Sequence, residues 1–479
     1  MELTIEHLII MLLTVAVVIG GGIYSARSVK SAEGYSLGGR SAGVPLVAGS
    51  IAGTVVGGGA TVGTAQLAYS MGLSAWWFTL GSGIAFILMG LFYAGKLRAT
   101  GLETIPQYLK RNYGNKAAES VGIISSLGIL FSVVASCLPG IQILSAVLNV
   151  SVELGAIILC LLVTAYIFFG GIKSTGVGGI LKMLVIWLSL FVAGASAFMY
   201  LHGRPDFQQI LPPDYWWNMF NTGIGSSFSK LFSMVVGVIC TQTYIQCFFS
   251  ASSPKVASLG AFAAAAIVIP VGLPSVAIGM YMHVLEPDVV PVLVLPIYLL
   301  EHQGTVLAGI ALGGIMLSLI GSIGGLSLGI GTMLTRDIIG RSFDLGSGKK
   351  LLYTLRLVVL AVMAAACLIA ICNLDSQVLF WNFLSMAMRG CGIFLPLTFA
   401  IFYPRSIAKK WAYASIVAST IIPIALGLWV KLPVEPLYIG LAISAVMMVI
   451  GYQKRWHPMG NTINTSSYNE VSDVPHLYR

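Results

Sequence analysis

Apolar residues run through this chain in stretches of twenty or more, set apart by short polar connections. That is the length an α-helix needs to cross a bilayer, about 20 residues at a rise of roughly 1.5 Å each. The pattern predicts thirteen spans, near 5–26, 43–71, 75–97, 118–149, 152–171, 177–201, 226–249, 256–283, 304–335, 352–373, 378–403, 409–429 and 433–452. The first has no basic segment ahead of it and no small-residue cleavage site; its basic flank, Arg27 and Lys30, follows it. It reads as a retained helix with the N-terminus outside, not as a signal peptide. The polar tail over 453–479, with Asn461, Asn464, Ser466 and Ser467, is expected to be disordered and cytoplasmic.

Composition points the same way. Of 479 residues, 57% are hydrophobic and 9% charged, and the mean hydropathy is +0.91. An average soluble protein has about 25% charged residues, so a soluble enzyme is excluded and an all-α membrane protein of about 13 transmembrane helices is expected. The formal charge of +9 would suit a nucleic-acid partner, but the basic residues sit in short loops, where they report topology instead. With the N-terminus outside, the cytoplasmic connections and tail carry 21 of the 26 Lys and Arg, against two, Arg204 and Lys431, in the outer connections. A multi-pass protein of the plasma membrane follows, N-terminus outside and C-terminus cytoplasmic. The seven cysteines lie within or beside apolar runs without metal-ligand spacing, and read as free thiols.

Two spans are interrupted. The second holds Ser50-Ile-Ala-Gly-Thr-Val-Val-Gly-Gly-Gly59-Ala-Thr61, and each glycine weakens a helix by about 1 kcal/mol relative to alanine. Close packing through small residues is one reading; an unwound stretch lining a cavity is the other, and three consecutive glycines favour it. The seventh holds Gly237-Val-Ile-Cys-Thr-Gln242-Thr-Tyr244-Ile-Gln246, where a hydrogen-bond ladder between helices competes with a second break. The interrupted spans stand five spans apart, as in transporters built from inverted repeats.

Several motifs carry a family resemblance: Tyr35-Ser-Leu-Gly-Gly-Arg40; Gly101-Leu-Glu-Thr104-Ile-Pro106-Gln-Tyr108-Leu-Lys-Arg111-Asn-Tyr113-Gly; Tyr166-Ile-Phe-Phe-Gly170-Gly171; and Thr335-Arg-Asp337-Ile-Ile. They resemble the sodium:solute symporter family over 5–452. The resemblance implies a leucine-transporter-like core of two inverted five-helix repeats, 43–201 and 226–403, joined by an extracellular loop, 202–225. A peripheral helix and loop, 1–42, would precede the core, and two peripheral helices, 404–452, would follow it.

The resemblance also implies a sodium site made by carbonyls of the first core helix, here Gly53 and Val56, with Ser318 and Ser322 of the eighth. Glycine at 321 removes a hydroxyl common in the family, and Gly178, Gly179 and Lys182 replace a Thr, an Asp and a Gln of the fifth core helix. Gly324 and Gly325 replace the hydroxyls of an additional sodium site. Sodium binding through the thinned site is the leading reading. The alternative is proton-coupled or sodium-independent transport with Lys182 as a coupling residue in the ion's place; a plainer account has this lysine reaching out to lipid phosphates.

The solute is expected between Gly57, Gly58, Gly59, Ala60 and Thr61 and the segment Thr241, Gln242 and Tyr244. Trp76 and Trp77, near the outer end, fit an aromatic interfacial belt. None of the 17 acidic residues lies in mid-span, whereas Lys182 and Arg389 do, which favours a small carboxylate-bearing organic solute. Arg389 has a second reading, as a residue bonding helix-end carbonyls or reaching inward to the surface. A channel would need a pore loop or charged ring, and an enzyme a nucleophile, paired acids or a phosphate loop; the chain offers none of these, and no catalytic residue or metal beyond sodium is expected. The expected partners are the solute and the lipid bilayer, with no nucleic acid and no obligate protein partner.

Overall fold

Helix is the one regular backbone form that satisfies its own hydrogen bonds in lipid without closing a barrel, and in the computed structural model of the chain the described residues of each expected interval are mainly helical. It describes residues 4–26, 31–167, 171–340, 343, 349–429 and 436–453. Arg27, Lys30 and the tail expected to be disordered, from 454 on, lie outside them.

Among the described residues, eight helices are long and apolar enough to cross a membrane, or nine when the bent pair Ile224–Ile239 and Gln242–Ser250 is taken as one span. The expected thirteen is not reached by that measure. Val44–Val55, Val152–Ile167 and Pro436–Ile450 have 12, 16 and 15 residues, shorter than a hydrocarbon core of about 30 Å requires at about 1.5 Å per residue.

The helix Thr305–Met333 is the hub, with every residue from Ala311 onward buried. Ile5–Ala26 lies on its outer side and leaves Leu12, Leu13 and Val17 exposed, as a lipid-facing helix should. Gly171–His202 packs against both Val44–Val55 and the hub, and Val378–Phe402 packs against Asn115–Leu148. Between the first two, a Cβ on Gly53 would lie 2.6 Å from Gly179 Cα, and one on Gly49 would lie 3.0 Å from the Gly176 carbonyl. Glycines on both helices therefore bring the two backbones into direct contact.

Thr64–Met71 ends at Gly72, whose φ of +55° suits glycine and whose missing Cβ makes room for the Trp216 carbonyl. Trp77–Leu88 begins one short turn later. The indole Nε1 atoms of Trp76 and Trp77 each donate at 2.8 Å to backbone carbonyls, of Ile269 and Met219.

Candidate functional site

Both interrupted spans are broken. The helix Val44–Val55 stops where Val56 turns to φ −78°, ψ 75°, and the chain re-enters helix through a wide turn at Gly59–Gly63. Near the end of such a helix the carbonyls lack intrahelical partners and carry the negative end of the helix dipole. In the second break Ile224–Ile239 and Gln242–Ser250 meet at 45°, with Thr241 extended at φ −88°, ψ 114°.

Lys182 fills the first break. Its Nζ donates to the carbonyl oxygens of Gly53, of Val56 at 2.9 Å and of Ser318 at 3.2 Å. The side chain is 1% exposed, so the reading in which it reaches lipid phosphates is overturned. The reason is register. The fifth core helix begins at Gly171, ahead of the expected 177, which puts Lys182 about 16 Å along the axis. Two departures from the family pattern border this lysine. A Cβ on Gly321 would come 3.1 Å from Nζ, and one on Gly179 would strike Gly49 O and Gly53 Cα.

The residues expected around the solute are mostly engaged elsewhere. Gly58 touches neighbouring helices: a Cβ there would lie 2.9 Å from Leu319 Cδ2, 3.1 Å from Pro139 Cγ and 3.2 Å from Ser136 Cα. A Cβ on Gly57 would strike Ser322, whose Oγ accepts from Ser136 Oγ at 3.4 Å. Gly59 faces Asn382 and Phe78; Ala60 is buried, and Thr61 Oγ1 donates to Gly57 O at 3.0 Å. The break frees carbonyls while its glycines allow close approach. Tyr244 packs edge-on to Phe86 at 5.3 Å. Gln242 accepts from the Ile105 amide at 2.8 Å and donates to Glu103 O at 2.9 Å, so both of its polar atoms serve the 103–105 segment.

Arg389, 0% exposed, ties the second break to two helices. Nη1 donates to Thr241 Oγ1 at 2.7 Å, Nη2 to Ser385 Oγ at 2.9 Å and Ser132 Oγ at 3.3 Å, and Nε to Ser385 O at 3.1 Å. These partners are neutral, and among the described residues no carboxylate pairs with the guanidinium. The expectation of helix-end carbonyls or an inward reach to the surface is corrected: the arginine bonds two serines, a threonine and one carbonyl of its own helix.

A further cluster at the Lys/Arg-rich end was not singled out from the sequence as functional. Glu103 Oε2 lies 2.7 Å from Arg336 Nε, and Gln246 Nε2 donates to Ser36 O at 2.7 Å and Thr332 Oγ1 at 3.1 Å. Burial pushes the Glu103 carboxyl above its ordinary range, against the pull of Arg336 and Arg40. The signal lay in the motifs around 101–104 and 335–337, which the structure brings together.

Two broken helices with freed carbonyls, held by close-packed small residues and buried polar side chains, define a secondary transporter of the leucine-transporter type. The chain belongs to the sodium:solute symporter family, whose model matches residues 35–417. It is similar to the high affinity choline transporter 1 of Homo sapiens, 23% identical over 403 residues covering 78% of this chain and 68% of that protein. It is also similar to the sodium/proline symporter of Staphylococcus aureus, 25% identical over 421 residues covering 83% and 81%. Among solved structures, a Na+-coupled sialic acid symporter in a substrate-bound outward-open state shares the fold at a TM-score of 0.78, with 16% identity, covering 94% of this chain and 98% of that one. A nucleobase-cation-symport-1 family transporter, closed with bromovinylhydantoin bound, follows at 0.60, with 13% identity, covering 88% and 94%. The protein is a multi-pass secondary-active solute symporter of this sodium-coupled family and not an enzyme.

Proposed function

We propose that the protein carries a small carboxylate-bearing solute across the plasma membrane by alternating access, bound between the breaks at 56–58 and 240–241. The observation that supports this is Arg389, a fully buried cation whose partners are neutral. A buried charge without a counter-charge is costly, and an anionic group on the solute would supply one. Helix Val378–Phe402 presents Asn382 toward Gly59 and Arg389 toward Thr241, so a solute between the breaks would meet both. Proline and sialic acid, named for two of the similar carriers, both bear carboxylates; choline does not.

Family membership supports sodium as the coupling ion, and the oxygens of Gly53, Val56, Ser318 and Ser322 are the ligands it would have here. A sodium ion would take those oxygens only with the Lys182 ammonium withdrawn. Uptake into proteoliposomes of a labelled panel of amino acids, hydroxy acids, sugar acids and choline tests the solute class. Accumulation of a carboxylate, lost in Arg389→Gln, supports it. Accumulation of choline with Arg389→Gln unimpaired overturns it.

A further inference from the structure

We propose that Lys182 is the built-in cation of this carrier and replaces sodium at the site between the first, fifth and eighth core helices. The inference rests on the solute-transport reading above and, at the coupling site, sets the lysine in place of the sodium ion considered there. An ammonium has three N–H donors, and Nζ meets three carbonyl acceptors, Gly53 O, Val56 O at 2.9 Å and Ser318 O at 3.2 Å. A neutral amine has only two N–H donors and would leave one of these buried oxygens facing a lone pair. Charge therefore belongs at this position, and the chain supplies it covalently.

The surroundings are cut to the lysine. Glycine at 321 leaves Nζ the space that a hydroxyl-bearing side chain would fill, since even a Cβ there would come 3.1 Å from it. Glycine at 179 lets the fifth core helix touch Gly49 and Gly53, so the lysine stem can reach the broken end. A carboxylate at 179 and a hydroxyl at 321 would both assist a metal ion. Their absence coincides with the ammonium.

No carboxylate among the described residues pairs with it. Val44–Val55 and Thr305–Met333 carry no ionisable side chain. Of the other helices packed on the fifth, Val152–Ile167 turns Tyr166 onto Gly178, one turn from Lys182. Ile5–Ala26 has Glu6 and His7 at its far end, and Pro254–Leu285 has Lys255, Tyr281 and His283 near its ends. The short helix at 32–40 has Glu33 paired with Arg40 near the surface and Tyr35 bonded to Ile167 O. Among the described residues, the charge on Lys182 is held by the carbonyl dipoles of Gly53, Val56 and Ser318.

Equilibrium binding of radiolabelled sodium to the purified full-length protein, without any solute, tests the proposal apart from the solute assignment. Thermal unfolding in NaCl against KCl gives a second readout. Wild type should show no saturable sodium binding and the same Tm in both salts. Lys182→Ala, or Lys182→Gln if the alanine variant fails to fold, should gain saturable binding and a sodium-selective rise in Tm. Saturable sodium binding by wild type overturns the proposal, and so does a folded Lys182 variant that gains none.

Discussion

Gln242 grips the segment ahead of Ile105 with both ends of its amide: Oε1 accepts from the Ile105 amide at 2.8 Å and Nε2 donates to the Glu103 carbonyl at 2.9 Å. The lower half of the broken sixth core helix is thereby latched to the loop after the second. A solute-orienting role for Gln242 would require this latch to open first.

Gln242→Ala should therefore loosen the packing at the Lys/Arg-rich end. Two buried hydrogen bonds are worth about 1–3 kcal/mol together, a shift of roughly five- to 150-fold toward opening. A cysteine introduced at the buried Ser327, below the sodium-site serines on the hub helix, should react faster with a maleimide by that factor. An unchanged rate would show that Gln242 is not a latch.

Arg336→Gln should make stability more sensitive to alkali. Burial already pushes the Glu103 carboxyl up, and Arg336 pulls it down. Removing the arginine leaves the folded state favouring protonated Glu103 still more. An acid whose folded pKa is raised contributes stability below its unfolded value, about 4.3, and loses it as pH rises through the folded one. The Tm of Arg336→Gln should fall more steeply than wild type as pH rises above the usual carboxylate range. Parallel Tm profiles would refute it.

Gly58→Leu should lower the yield of folded protein and not merely abolish uptake. The new side chain would run into Leu319, Pro139 and the Ser136 backbone. Overpacking on the scale of one methyl, as in Gly58→Ala, costs about 1–3 kcal/mol, readable as a lower Tm by fluorescence-detected size exclusion. A well-folded, inactive Gly58→Leu protein would instead point to open space at that glycine.

Topology is testable in a Cys372→Ser background, because Cys372 is the one exposed native cysteine among the described residues. Val290→Cys should react with an impermeant maleimide from outside the cell, and Lys350→Cys only after permeabilisation. Equal labelling from outside would overturn the orientation read from the basic residues.

The sequence by itself determined the class of fold and the family. Apolar stretches of bilayer length leave helices as the form that satisfies the backbone, and the basic loops set an orientation to test. Both breaks were also signalled, each as one of two readings, by the triple glycine and by the polar run around Gln242. The lengths of the short helices were less legible, since hydropathy does not mark where a helix ends inside the bundle. What only the tertiary structure decided was where the polar side chains point. Lys182 turned inward because its helix starts at Gly171 and because Gly49, Gly53, Gly176 and Gly179 let two backbones touch across more than a hundred residues of chain. Gln242 was drawn to Glu103 and Ile105, and Arg389 to Thr241, by the same kind of long-range approach. In a bundle with few charges each buried polar group must find a partner, and those partners lie far along the chain, beyond the reach of local pattern.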